Sequence, residues 1–272
     1  MTALRCARQW LLVLLVSAIS VCAHAQAPAT QEFTPSVGQS GKDVVWVPSP
    51  QALVDKMLDM AKVTPADFVM DLGSGDGRTV ITAAQRGARA LGIEYNPNMV
   101  ALSRRNAAAA GVGDRAKFAQ ADIFQSDFSQ ATVITLFLLT DLNLRLRPTL
   151  LSLKPGTRIA SNTFKMGEWE PDQVFELGCD TYCTAYLWIV PARVEGKWHG
   201  AQGELALNQE FQKITGTLKT GASSVQISGG RLRGDEMSFV AGGSEYRGRV
   251  NGSVIEGTVK SGSNTATWSA RR

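Results

Sequence analysis

Histidine and cysteine are scarce in this sequence, and much of what there is sits in the first 25 residues. Of two histidines and four cysteines, His24, Cys6 and Cys22 precede residue 26, which leaves His199, Cys179 and Cys183. A single histidine excludes a His-rich metal centre and any catalytic triad not built on His199. Long apolar runs are also lacking. The best candidate, Trp10 to Val21, is about a dozen residues, short of the roughly 20 that a membrane-spanning helix needs. An excess of one charge is missing too: 28 Lys and Arg face 24 Asp and Glu, too even a balance for the footprint of a nucleic-acid binder. What is present is apolar material. At 44% of 272 residues it suffices for a packed core and excludes a disordered tail or a minimal disulfide scaffold.

Arg5 and Arg8, the apolar run and Ala23-His24-Ala25 follow one another in the order of a secretory leader with a small-x-small cleavage site. The expectation is a signal peptide at 1–25 and export, in a bacterial setting to the periplasm, with retention of the leader as an anchor as the alternative. After cleavage no stable membrane span is expected. Removing Arg5 and Arg8 leaves 26 basic against 24 acidic residues, or +2. Val21 before Cys22 is a poor context for lipid attachment.

The remainder has three textures. Residues 26–45 are rich in Pro, Gln, Ser, Thr and Gly and read as a flexible arm. Residues 46–193 alternate strand-like apolar runs with helical patterns, the rhythm of βαβ units on a parallel sheet. Ser49-Pro50 predicts an N-cap and first helical position, with a helix to about Lys62. Strands are expected at Asp67–Leu72, Ala90–Glu94, Lys117–Ala119, Thr132–Leu139 and Thr157–Asn162, and a closing hairpin at Val174–Leu177 and Thr184–Val190. Helices are expected at Arg78–Arg86, from Asn96-Pro97 to Gly111, and at Leu142–Leu153. Pro191 to Gly196 marks a boundary. From Glu195 onward, fourteen glycines in 78 residues separate short runs, as in a small antiparallel unit of six to eight strands, a β-barrel or β-sandwich, with the domain expected at 194–272.

The chemistry is expected at strand ends. Asp71-Leu72-Gly73-Ser74-Gly75-Asp76-Gly77-Arg78 links a strand to a helix, and its glycines let a ligand approach the peptide N–H groups. Glu94 ends the second strand, 23 residues after Asp71, where an acid can accept from both hydroxyls of a ribose. Asp122 follows the third strand and can accept from an adenine amine, with Ile123 and Phe124 packed near the ring. Taken singly, each acid reads as a solvated loop carboxylate; in this order they outline an adenosine site. A dinucleotide fits poorly, because the third glycine of G-x-G-x-x-G falls on Arg78. Asp71 and Asp76 would repel a diphosphate but suit a ligand carrying an amine and a sulfonium.

On these residues, 46–190 resemble a class I S-adenosylmethionine-dependent methyltransferase. The Asp71–Arg78 run is similar to that superfamily's first motif, Glu94 to its ribose acid and Asp122 to its adenine contact. Val47-Pro48-Ser49-Pro50 and the run from Leu138 to Pro148 further resemble a bacterial group related to the ATP-synthase c-subunit lysine methyltransferases. The resemblance implies a doubly wound, Rossmann-like seven-stranded sheet, S-adenosyl-L-methionine held by Asp71, Gly73, Ser74, Gly75, Asp76, Gly77, Glu94, Asp122 and Ile123, and a protein lysine amine as acceptor. The Asn/Asp-Pro-Pro-aromatic motif of many amine methyltransferases is absent after the fourth strand. Thr140, Asp141 and Asn143 stand there instead.

Asp141 is therefore the candidate to take the amine proton and Asn143 to orient the acceptor, against the alternative that both merely begin a helix. Trp169 either walls the acceptor pocket or packs in the core. Cys179 and Cys183 are a disulfide, free thiols or, least favoured, half a metal site. Arg145, Arg147 and Arg158 read as solvated helix or strand residues more readily than as an anion site. The competing class is a non-catalytic exported binding protein that keeps the fold and recognises a partner through its β unit.

Overall fold

The structure, a computed structural model, describes residues 33–272, which form one compact unit. The expected leader and the start of the arm lie outside the described residues. Helix α1 (Gln51–Met60) buries Leu53, Val54, Met57 and Leu58, an i, i+1, i+4, i+5 stripe that fits the helical period. It has Pro50 at its N-cap and no side-chain cap. Ser49, expected to cap it, instead accepts from Asn162 Nδ2 at 3.0 Å and gives its carbonyl oxygen to Arg78.

The elements then alternate: β1 (Phe68–Leu72), α2 (Arg78–Gln85), β2 (Arg89–Glu94), α3 (Pro97–Ala109), β3 (Ala116–Gln120), β4 (Val133–Leu136), α4 (Thr140–Leu150), β5 (Arg158–Asn162), β6 (Gln173–Glu176) and β7 (Thr184–Ile189). Their strand order is β3-β2-β1-β4-β5-β7-β6. The pairs from β3 to β5 are parallel, and β7 is antiparallel to both β5 and β6. This is the doubly wound seven-stranded sheet that the family resemblance implies. β1 and β4 are buried along nearly their whole length, as central strands covered on both faces must be. The order reverses between β1 and β4, and ligands of such sheets bind outside the carboxyl ends at that point.

The second part is a closed barrel of eight antiparallel strands: β8 (Gly196–Gly200), β9 (Gly203–Glu210), β10 (Lys213–Thr220), β11 (Ser223–Arg233), β12 (Glu236–Ala241), β13 (Ser244–Asn251), β14 (Val254–Ser261) and β15 (Asn264–Arg271). Buried and exposed residues alternate strictly along β12. The interior is packed with side chains, among them Phe239 stacked on Tyr246 at 4.6 Å with Trp268 edge-on to both. Eight strands give an interior that side chains can fill.

The barrel is docked firmly on the sheet. Trp169 is fully buried, touches Trp188 and stacks on Phe211 of the β9–β10 turn at 6.0 Å. Gln212, 1% exposed, donates to the Glu170 carbonyl oxygen, and Arg231 pairs with Asp172 at 2.7 Å. Trp169 is thus joint packing between the two parts and not an acceptor wall. Gly234 abuts Gly156, just before β5 begins, so this contact lies at the end of the sheet opposite the carboxyl ends of the parallel strands.

Candidate active site

At the carboxyl end of β1 the chain must turn sharply to start α2, and the glycines make that possible. Gly77 has φ +85°, and a Cβ there would meet the Phe118 ring at 2.8 Å and Ser103 Cβ at 2.9 Å. The turn is held from behind. Gly73 and Ser74 N–H both donate to the Ile93 carbonyl oxygen (2.8 and 3.0 Å). Ser103 Oγ donates to the Gly75 carbonyl oxygen (2.8 Å) and Asn106 Nδ2 to that of Asp76 (2.9 Å). With its carbonyls tied down, the turn is a rigid cradle.

Glu94 closes this cradle from β2. One oxygen accepts from Gly75 N–H (3.0 Å) and the other from Asn96 N–H (2.9 Å), which fixes the carboxylate and leaves lone pairs on both oxygens for hydroxyl donors. Asp122, after β3, accepts from Phe124 N–H (2.9 Å) and from Lys42 Nζ (2.7 Å). The hydrogen bond and charge of Lys42 hold its carboxyl below the usual range. Asp71 is buried, and burial pushes its carboxyl up to about 7, with Glu94 and Asp76 adding repulsion; a 2.6 Å bond from Thr135 Oγ1 opposes the shift. Asp76 is clasped by Arg78 at 2.6 Å, so the residue that breaks the dinucleotide pattern serves as a counter-ion.

Asp71, Gly73, Ser74, Gly75, Asp76, Glu94, Asp122 and Ile123 all line one cleft, with about 1060 Å³ of empty space counting its open mouth. Gly77 is behind the turn. Ser74 Oγ is buried without a hydrogen-bond partner, a free donor and acceptor in the cradle wall. These groups fit an adenosyl ligand with an amine: a fixed acid for a ribose, an acid beside an apolar residue for an adenine, and a buried carboxyl that a cation would ionise.

The expected catalytic pair is not brought to this cleft. Asp141 is exposed in the first turn of α4, whose N-cap is Leu139, and it does not line the cavity. Asn143 is fully buried, with its amide donating to the carbonyl oxygens of Phe164 (3.1 Å) and Lys165 (3.4 Å). It braces the segment after β5 and has no path to an acceptor.

Sequence reasoning missed the other wall. Residues 39–49 all line the cleft, so the described part of the expected flexible arm is an ordered strap. Gly38 N–H donates to the Trp46 carbonyl oxygen, Trp46 N–H to that of Gln39 and Gly41 N–H to that of Val44, each at 2.9 Å. Lys42 fastens the strap to Asp122 and lies 4.9 Å over the Tyr95 ring. The available signal was Val44-Val45-Trp46-Val47, an apolar run inside polar surroundings. The structure also joins Cys179 to Cys183. Among the described residues no cluster of His, Cys, Asp and Glu is arranged to hold a metal. The arginines are engaged: Arg145 lies over Phe124 at 3.6 Å, Arg147 pairs with Glu168 at 2.8 Å, and Arg158 pairs with Asp67.

Residues 71–173 match the family described as the ANTKMT methyltransferase domain. A protein-lysine N-methyltransferase of Saccharolobus islandicus (strain REY15A) is 40% identical over 151 residues, covering 54% of this chain and 94% of that protein. The ATP-synthase c-subunit lysine N-methyltransferase of Homo sapiens is 35% identical over 137 residues; the match spans 50% of this chain and 58% of that protein. Among solved structures, an RNA methyltransferase from Salinibacter ruber in complex with S-adenosyl-L-homocysteine is 47% identical, with a TM-score of 0.52 over 54% of this chain and 96% of that one.

Proposed function

The chain belongs to the S-adenosylmethionine-dependent methyltransferases, and on that premise we propose that it methylates the amine of a protein lysine outside the cytoplasm. The lysine acceptor rests on the 40% identity to a protein-lysine N-methyltransferase across 94% of that protein's length. When bound, S-adenosylmethionine supplies a methyl group already activated by a sulfonium. The chain's own work is then to hold, align and keep out water. The Asp71–Gly77 turn would hold the end that carries the amine, Glu94 the ribose, and Asp122 and Ile123 the adenine, with the strap from Gln39 to Trp46 lining the same cleft. Asp71, pushed up to about 7 by burial, would gain a cationic partner in the amine and be held ionised by it.

An acceptor nitrogen must be neutral to attack. Asp141 is exposed and does not line the cleft, so removal of the amine from water is the better-supported route to the neutral form. The extracytoplasmic location is supported by the leader-like order of residues 1–25 and by the Cys179–Cys183 disulfide, a bond that persists in oxidising compartments. A second reading, methylation of RNA, is favoured by the 47% identity to the Salinibacter ruber protein; the near-even charge and the engaged arginines weigh against it.

The test is incubation of the purified chain with methyl-labelled S-adenosylmethionine and envelope, cytosolic and RNA fractions, followed by mass spectrometry. Label on lysine of an envelope protein is the expected result. Label confined to RNA would overturn the acceptor, and label confined to cytosolic protein would overturn the location.

A further inference from the structure

We infer that Phe137, Phe164 and Tyr182 form the wall against which the acceptor's alkylamine chain lies, and that the Cys179–Cys183 disulfide holds Tyr182 in it. The inference rests on the lysine reading above and adds the side chains that would recognise the acceptor.

Three separate connections deliver these rings to one place. Phe137 follows β4 and lines the cofactor cleft. Phe164 lies two residues after β5, and Tyr182 sits in the β6–β7 connection. All three connections leave the carboxyl end of the parallel strands. The ring centroids are 5.2 Å apart for Phe137 and Tyr182, 6.1 Å for Phe137 and Phe164, and 6.2 Å for Phe164 and Tyr182.

The rings are held by means that ordinary packing does not require. Thr163 and Tyr182 both adopt positive φ, +61° and +56°, a region that costs non-glycine residues energy and that a β-branched residue rarely enters. Such strain concentrates at functional sites. The Phe164 carbonyl oxygen is gripped by Ser161 Oγ at 2.8 Å and by Asn143 Nδ2 at 3.1 Å, which makes Asn143 a positioning residue for Phe164. Tyr182 remains 40% exposed although its loop is tied off by the disulfide. The tie fixes the loop to the buried Cys183, the residue next to Tyr182, and so limits where this ring stands.

The chemistry fits an amine on a flexible stem. The three rings present apolar faces without a charge of their own, against which the alkyl stem of an amine sheds water. During transfer, positive charge passes from sulfur to nitrogen, and the negative faces of aromatic rings accommodate it. A nucleobase also stacks on aromatic rings, but these three are tilted by 27°, 42° and 67° to one another, a corner for a chain in preference to a slot for a plane.

The experiment titrates the full chain, loaded with S-adenosylhomocysteine, with Nα-acetyl-Nε-trimethyllysine amide and separately with uridine. Wild type, Tyr182→Phe, Tyr182→Ala and the Cys179→Ser/Cys183→Ser double variant are compared. Equal binding of S-adenosylhomocysteine by all four reports an intact cofactor site. The expected result is that trimethyllysine amide binds the wild type and Tyr182→Phe alike, at least tenfold more weakly to Tyr182→Ala, and several-fold more weakly to the double variant. Equal binding of the probe by wild type and Tyr182→Ala, or none by the wild type, would overturn the wall. Unchanged binding by the double variant would overturn the role of the disulfide. Tyr182-dependent binding of uridine alone would assign the wall to RNA. Loss of S-adenosylhomocysteine binding by the wild type would instead sink the methyltransferase reading beneath it.

Discussion

The sheet and the barrel put their polar groups to different uses. In the sheet, acids gather at one end: Asp71, Asp76, Glu94 and Asp122 line a single cleft, and one of them is driven far from its ordinary ionisation. In the barrel, charges are spread over the outside as pairs such as Arg249 with Asp235 and Glu236, while the interior is filled by Phe239, Tyr246, Trp268 and their neighbours. A parallel sheet leaves a crevice where its strand order reverses, whereas a closed eight-stranded barrel fills its own interior. The same chain thus carries a unit whose acids open onto a cleft and a unit whose interior is packed with side chains. The barrel docks away from the cleft, by Trp169 on Phe211 and Arg231 on Asp172.

That contrast can be broken most strongly at Glu94. Glu94→Ala removes the acceptor placed for two ribose hydroxyls, each charge-assisted bond being worth about 1.5–3 kcal/mol. Affinity for S-adenosylhomocysteine should fall by about a hundredfold or more by calorimetry, with the barrel's near-ultraviolet circular dichroism unchanged. Trp169→Ala tests the joint. Deleting a fully buried indole costs about 3–5 kcal/mol, so the thermal midpoint should drop steeply, and cofactor affinity measured well below it should change little.

Asp71→Asn separates stability from binding. A carboxyl at about 7 when folded, against 3.8 in its ordinary state, keeps its proton in the folded chain between those values. Folded stability therefore falls as pH rises through that window, by up to about 4 kcal/mol. The variant, which cannot ionise, should be more stable than wild type above pH 7 in urea titrations, show a flatter pH profile, and bind the cofactor more weakly. The smallest effect is expected at the strap. Lys42→Met removes an exposed pair, and exposed pairs are weak and screened by salt. Cofactor affinity should change only a few-fold, and the difference should shrink in high salt.

Much of the fold and the cofactor cleft is legible in the chain because it follows from backbone geometry. The alternation of apolar strands with helices, the glycines of Asp71–Arg78 and the acids after β2 and β3 each answer to a local rule, and so does the Gly-punctuated barrel. Asn96 caps α3 with its side chain, as Asn-Pro predicts. What is not legible depends on contacts between distant segments. Ser49 looks like a helix cap, but Asn162, 113 residues away, claims its hydroxyl. Asn143 sits where an acceptor ligand would be expected, but the carbonyls after β5 take its amide. The arm looks loose in sequence because its polar composition hides the backbone bonds that fold it on itself and the seat that Lys42 finds on Asp122, 80 residues on. The aromatic wall is invisible in sequence because Phe137, Phe164 and Tyr182 share no pattern at all.

The central claim is that the acid-lined cleft at the end of the sheet holds an adenosyl cofactor through its amine and its ribose. Isothermal titration of the full chain with S-adenosylhomocysteine at pH 6 and pH 8 tests it most directly, with Glu94→Ala and Asp71→Asn alongside. The predicted result is one site per chain in the wild type, tighter at pH 8 than at pH 6, with the pH dependence lost in Asp71→Asn and binding lost or severely weakened in Glu94→Ala. No binding by the wild type, or equal binding by wild type and Glu94→Ala, would contradict it.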